Sequence, residues 1–326
     1  MRKYLFCLTT IFILPLFVAG QLGFEQLEKE IVKKLSIKSK EQWDYGYTSK
    51  GEVSSRGYQS SKTTYDHFGN IIEVVNMKRG GDTLNILAYQ YDRQGNRLSY
   101  VKYDNGKREK ITYMQKFTYD SKGNKLLETG FNGADNYNNI YKYSSTGDLL
   151  EIKYYVGKRL DQRRVFEYSG NSTQINVFDG NDKLMFRLEN KYNDMGKIVI
   201  EQRLEKDNSV SKKTEIKYHN DGKISETEKQ QFGKIVNVIE YIYEPNGQLR
   251  AIYEQENDSP RYLKYSYTYG DNGRIEHEKW RNGPDASFST KDYKYDNQGK
   301  VETIDCFFAT YKYKVLYRFN YDFYKP

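Results

Sequence analysis

A tyrosine recurs along the chain at Tyr65, Tyr91, Tyr119, Tyr143, Tyr168, Tyr192, Tyr218, Tyr243, Tyr269, Tyr295 and Tyr321, at intervals of 24 to 28 residues. After nine of these a glycine stands four places on: Gly69, Gly95, Gly123, Gly147, Gly196, Gly222, Gly247, Gly273 and Gly299. A fixed period of this length marks a repeat architecture, in which each unit is one supersecondary element that cannot bury its apolar face alone. A chain with this register is a stacked array. It is not a globular enzyme built around one cleft.

Within a unit the pattern is that of a hairpin. Tyr89 and Tyr91 are two residues apart, so a strand turns both to one face and Gln90 to the other. The doublet returns at Tyr141/Tyr143, Tyr241/Tyr243, Tyr267/Tyr269 and Tyr293/Tyr295, with Phe117, Phe166 and Phe319 taking the first place elsewhere. The segment Asp-x-x-Gly that follows predicts a type I turn, with its glycine in the left-handed region of a bulge. A second strand then starts on an aliphatic residue such as Leu98, Leu126 or Val301. The unit at Tyr168 is altered, with Ser169-Gly170-Asn171-Ser172 and no glycine at the usual place.

A single hairpin is marginal in water, so stacked units must share tyrosine ladders across strands. The expectation is an all-β chain, one long antiparallel sheet of hairpins coiled into a spiral or open shell, because long sheets twist. Phe24, Leu27, Ile31 and Leu35 lie on one helical face and predict a short N-terminal helix capping the first edge strand. The chain stops where an eleventh turn would begin, so its last strand is expected to end the sheet. The organisation is 1–20 signal peptide, 21–42 helical cap and 43–326 repeats, about ten to eleven units.

Arg2 and Lys3 precede a 14-residue apolar run, 5–18, and small residues Val18 and Gly20 precede Gln21. This is the form of a secretory signal cut before Gln21, placing the protein in the periplasm, at the cell surface or outside the cell. The run is short for a membrane span, and no later segment approaches one. The mature chain keeps one cysteine, Cys306, in the apolar stretch 304–308, which reads as a packing residue and forms no internal disulfide. The formal charge of +8 falls to +6 without Arg2 and Lys3. Basic and acidic residues alternate through every unit, which argues against nucleic acid as a partner.

The units Tyr65-Asp66…Gly69-Asn70, Tyr91-Asp92…Gly95-Asn96 and Tyr119-Asp120…Gly123-Asn124 resemble the YD-repeat family, also called RHS repeats. The resemblance covers about residues 45–326 and implies a spiral β-sheet. In large members that sheet winds into a shell around a toxin, and other members are surface proteins linked to carbohydrate. This chain is short and carries no cargo domain after the array, so the toxin role does not transfer. The repeats bring no catalytic residue with them.

Chemistry is sparse. There is no phosphate loop, no paired-histidine or paired-cysteine metal spacing, and no cofactor motif. His67, His219 and His277 are far apart in sequence, and Asp179, Asp182 and Asp271 fit turn chemistry better than calcium binding. Asn171-Ser172-Thr173 and Asn257-Asp258-Ser259 match the glycosylation sequon. The expected function is a non-enzymatic exported scaffold that binds glycan or a surface protein. The residues singled out for the binding face are Tyr141, Tyr143, Tyr241, Tyr243, Tyr267, Tyr269, Tyr293 and Tyr295. The alternatives are a polysaccharide-acting enzyme and an antitoxin- or immunity-like partner. The sequence is silent on oligomeric state.

Overall fold

The computed structural model describes residues 28–325, so the signal segment lies outside the described residues. Twenty-two antiparallel strands run from β1 (Ile37–Tyr47) and β2 (Val53–Tyr65) to β22 (Tyr313–Phe323). Each pairs with the strand before and after it in sequence, and β22 also pairs with β1. The seam is long, running from Ile37↔Phe323 to Gly46↔Val315. The expected open spiral is therefore corrected to a closed barrel. The last strand does not end the sheet, and the first has no free edge for a helix to cap.

Register explains the closure. The ladder that leaves Tyr89 on β4 (Thr83–Tyr91) crosses Tyr100 on β5 (Arg97–Asp104) and reaches Gln115 on β6 (Ile111–Tyr119). It starts two residues before one repeat tyrosine and arrives four before the next. The same slip of two separates Tyr267 from Lys291, four before Tyr295. Over eleven hairpins this gives a shear of about 22, equal to the strand count, and a strand tilt of about 36°. With strands about 4.8 Å apart, the backbone cylinder is about 40 Å across. Closure also pairs both edges that an open array would leave exposed to other chains.

The turns form as the sequence leads one to expect, with an added detail. In the hairpin closed by Asp92, the Gly95 N–H donates to Asp92 O at 3.1 Å and the Asp92 N–H donates to Asn96 O at 2.9 Å. The carboxylate accepts from the backbone of Gln94 and Asn96 (2.8 and 2.9 Å) and from the Asn96 amide at 2.9 Å. Asp66/Asn70 and Asp120/Asn124 repeat this arrangement. The Asn96 and Asn124 amides hold Asp92 and Asp120 below the usual carboxylate range. All nine repeat glycines have positive φ, from 69° to 98°, and the register shifts beside each preceding tyrosine, as a bulge requires. The altered unit closes differently: Ser169 and Ser172 pair directly, with Gly170 at φ 55°, so a two-residue loop replaces the longer turn.

Following the pairing around the ring puts every repeat tyrosine on one continuous face. The large buried side chains share it, among them Phe117, Ile152, Ile175, Val177, Phe186, Leu188, Tyr241 and Cys306. In a closed barrel the concave wall crowds side chains and the convex wall spreads them, so this is the lumenal face. The opposite face is mixed: it is charged over β14 (Val210–Tyr218), with Lys213, Glu215 and Lys217, and β15 (Ile224–Gln231), with Glu226 and Glu228, but it carries Ile86, Val101 and Met114 over β4 to β6. The chain exposes 20679 Å², against about 14,000 Å² for a compact globule of its mass. Cys306 is wholly buried, as expected, and burial pushes its thiol up to about 12.

Helix α1, residues 28–34, leads directly into β1, which begins at Ile37 within the segment expected to be helical cap. The helix packs beside the seam. Val32 and Ile37 form a buried cluster with Tyr65, backed by Ile31, Leu35 and Tyr321. Lys29 donates to Asn70 Oδ1 at 2.7 Å in the first repeat turn. The C-terminal residues close the same corner, where Tyr324 stacks on His67 at 3.8 Å and its hydroxyl donates to Tyr65 O.

Candidate functional site

The lumenal wall is built from a repeated strut. The hydroxyl of a repeat tyrosine donates to the carbonyl of the first residue of the strand before it, in the previous unit. Tyr119 reaches Arg97 (2.9 Å), Tyr218 reaches Ile198 (2.6 Å), Tyr243 reaches Ile224 (3.0 Å) and Tyr269 reaches Leu249 (2.8 Å). Tyr295 reaches Ile275 (2.7 Å) and Tyr321 reaches Val301 (2.8 Å). The acceptor is thus often the aliphatic residue that anchors each second strand. A phenol supplies apolar area and one donor, so it can pack and clasp together.

Cations complete the strut. Lys197, Lys223, Arg274 and Lys300 each follow a turn glycine and lie over the tyrosine of the next unit, at 5.4, 5.7, 5.4 and 5.8 Å from the ring centre. Such contacts contribute about 0.5–1 kcal/mol each where exposed. They were missed in the sequence, although a basic residue directly after the turn glycine was the available signal.

All eight tyrosines singled out for binding lie on the lumenal wall. Tyr243, Tyr269 and Tyr295 use their hydroxyls in the strut, while Tyr141 and Tyr293 donate to Glu128 and Glu278 at 3.2 and 3.0 Å. Tyr241 is buried. Burial raises the pKa of all eight, with Tyr269 and Tyr295 pushed up to about 12. Other rings complete the surface: Tyr89, Tyr100 and Tyr113 form a ladder across β4, β5 and β6, with centres 5.1 and 5.7 Å apart.

Three acidic nodes interrupt the rings. Glu128 accepts from Gln115 and Tyr137, both at 3.1 Å. Glu278 pairs with Lys291 at 3.4 Å. Glu254 is buried, yet Lys264 and Tyr262 (2.6 Å each) and Asn237 (3.0 Å) hold its carboxyl below the usual range, outweighing the upward push of burial. Held this way, the Glu254 carboxylate is not poised as a general acid near neutral pH.

The remaining candidates separate. His67 stacks on Tyr324, His219 meets Tyr243 edge-on at 5.7 Å, and His277 bonds Asp292 at 2.7 Å. Asp179 accepts backbone bonds within its own turn and Asp182 pairs with Arg163 at 2.6 Å. No group of three or more His, Cys, Asp or Glu able to hold a metal occurs among the described residues.

No protein-family profile matches the chain, and no curated protein matches it. Solved structures that are similar in part include two of note. One is a TcdB2-TccC3 chain without its hypervariable C-terminal region, at 12% identity and a TM-score of 0.38, covering 84% of this chain and 18% of that one. This chain thus spans about a fifth of that protein's length. The other is a porin-like protein from Bacteroides uniformis ATCC 8492, at 9% identity and a TM-score of 0.32, covering 88% of this chain and 98% of that one. At these scores neither likeness carries an argument, and the YD-repeat resemblance rests on the motifs alone.

Proposed function

We propose that the protein is an exported, non-catalytic scaffold of the envelope or extracellular space whose hollow barrel binds glycan. The observation that carries this reading is the array of phenol rings on the lumenal wall over residues 89–154 and 241–321, interrupted by the carboxylate nodes Glu128, Glu254 and Glu278. Flat amphipathic rings pack on the apolar faces of sugars, and fixed carboxylates and amides bond their hydroxyls. The signal-like segment 1–20 supports export.

A glycan array and titration with the folded mature chain at physiological salt test this. Saturable binding of a neutral oligosaccharide, lost in Tyr100→Ala while the far-ultraviolet dichroism is kept, is the expected result. Binding to no glycan on a broad array overturns it, and a surface protein recovered by pull-down would then take the ligand's place.

A further inference from the structure

The outer wall mixes charged and apolar side chains, and over β4 and β5 it is hollowed. The floor there is small: Ala88 on β4, with Ser99 and Val101 on β5. From the loop 105–110 between β5 and β6, Arg108 alone borders this recess. Asn105 N–H donates to Leu84 O at 3.1 Å, with Asn105 and Gly106 at φ 52° and 68°. That reversal carries Arg108 to the carboxylate of Glu73 on β3 (Ile71–Met77), roofing one end. The result is a recess of about 530 Å³, a size that takes a small organic ligand.

Its polar groups are unequal in charge. Glu73 is already engaged by Arg108. Lys116, on the facing side, forms no ion pair among the described residues, so the recess keeps one uncompensated cation. The Gln90 carbonyl accepts from Ser99 Oγ at 3.1 Å, which leaves the Gln90 amide N–H groups to donate inward. An ammonium, an amide donor and hydroxyls above a small apolar floor select a ligand with one negative charge and several hydroxyls.

We propose that this recess is a binding site for an acidic sugar, a uronate unit of a glycan, with Lys116 neutralising its carboxylate and Gln90 bonding a ring hydroxyl. The site lies on the opposite face of the sheet from the lumenal rings, so either surface can fail without the other.

Calorimetric titration with a glucuronate-containing oligosaccharide and its neutral glucose counterpart tests it. The intact chain should bind the acidic sugar at least about tenfold more tightly, the strength of one charge-assisted contact. Lys116→Gln should bring it down to the neutral sugar's affinity. Ala88→Trp, which fills the floor, should abolish binding with the dichroism unchanged. Lumenal Tyr100→Ala should leave uronate binding intact. Equal affinity for the two sugars, no binding of either, or uronate binding that survives Lys116→Gln but not Tyr100→Ala would each overturn the assignment.

Discussion

At the scale of single residues, the turn glycines differ in what surrounds them. A Cβ added at Gly123 meets nothing within 4 Å, so only its φ of 84° resists a side chain. At Gly299 the same atom would strike the Arg274 guanidinium. Gly123→Val should therefore cost about 1–2 kcal/mol from backbone strain alone. Gly123→Asn should cost much less, because Asn tolerates that region. Urea midpoints of both variants beside the parent decide it, and equal midpoints would disprove the left-handed assignment. The tyrosines make a second prediction. Tyr269 and Tyr295 are raised from 10.0 to about 12 by burial, so the folded state holds phenol protons that the unfolded chain releases first. Their contribution is complete below about pH 10 and disappears as pH rises through about 12. Urea midpoints flat to about pH 9.5 and falling steeply above it are expected, with the buried part of the tyrosinate absorbance appearing only as the fold is lost.

Among the elements, α1 and the C-terminal corner have the most consequence for their size. They hold the one junction, β1 with β22, whose strands are distant in sequence. All other neighbours are joined by a short connection, so the seam alone must overcome the closure entropy of nearly the whole chain. Val32→Asp would place a charge against Ile37 and Tyr65, where Val32 is 2% exposed, at a cost on the order of 3 kcal/mol. Amide exchange should quicken first in 37–47 and 313–323, ahead of β14 and β15. Uniform acceleration around the ring would mean that the helix does not guard the seam.

For the whole molecule, the decisive property is the open interior. The two larger clusters outside the seam, around Val177 and around Tyr241, draw on neighbouring strands only, and neither spans the lumen. Stability is therefore a sum of neighbour contacts around a ring, as in a linear repeat array whose ends have met. Electron-microscope class averages viewed down the axis should show a ring about 40 Å across between backbones with an empty centre. A filled disc would overturn the hollow barrel and, with it, the lumenal site.

The strands, their turns and the single-faced tyrosines were legible in the sequence, because each follows from contacts within about ten residues: period-two doublets, Asp-x-x-Gly turns and aliphatic strand starts. The eight tyrosines singled out do share one wall, and a packing role for them was readable from the same spacing. Closure was not legible. It depends on a slip of two residues per hairpin adding up until β22 lies beside β1, and no local pattern carries that sum. The seam clasp of Tyr324 on Tyr65 likewise joins residues that only closure brings together, while the cation struts and the reach of Arg108 to Glu73 depend on the stagger between neighbouring strands. Sequence alone determined the hairpin and its period; the tertiary structure decided that the array closes on itself, because register and tilt are properties of the whole ring.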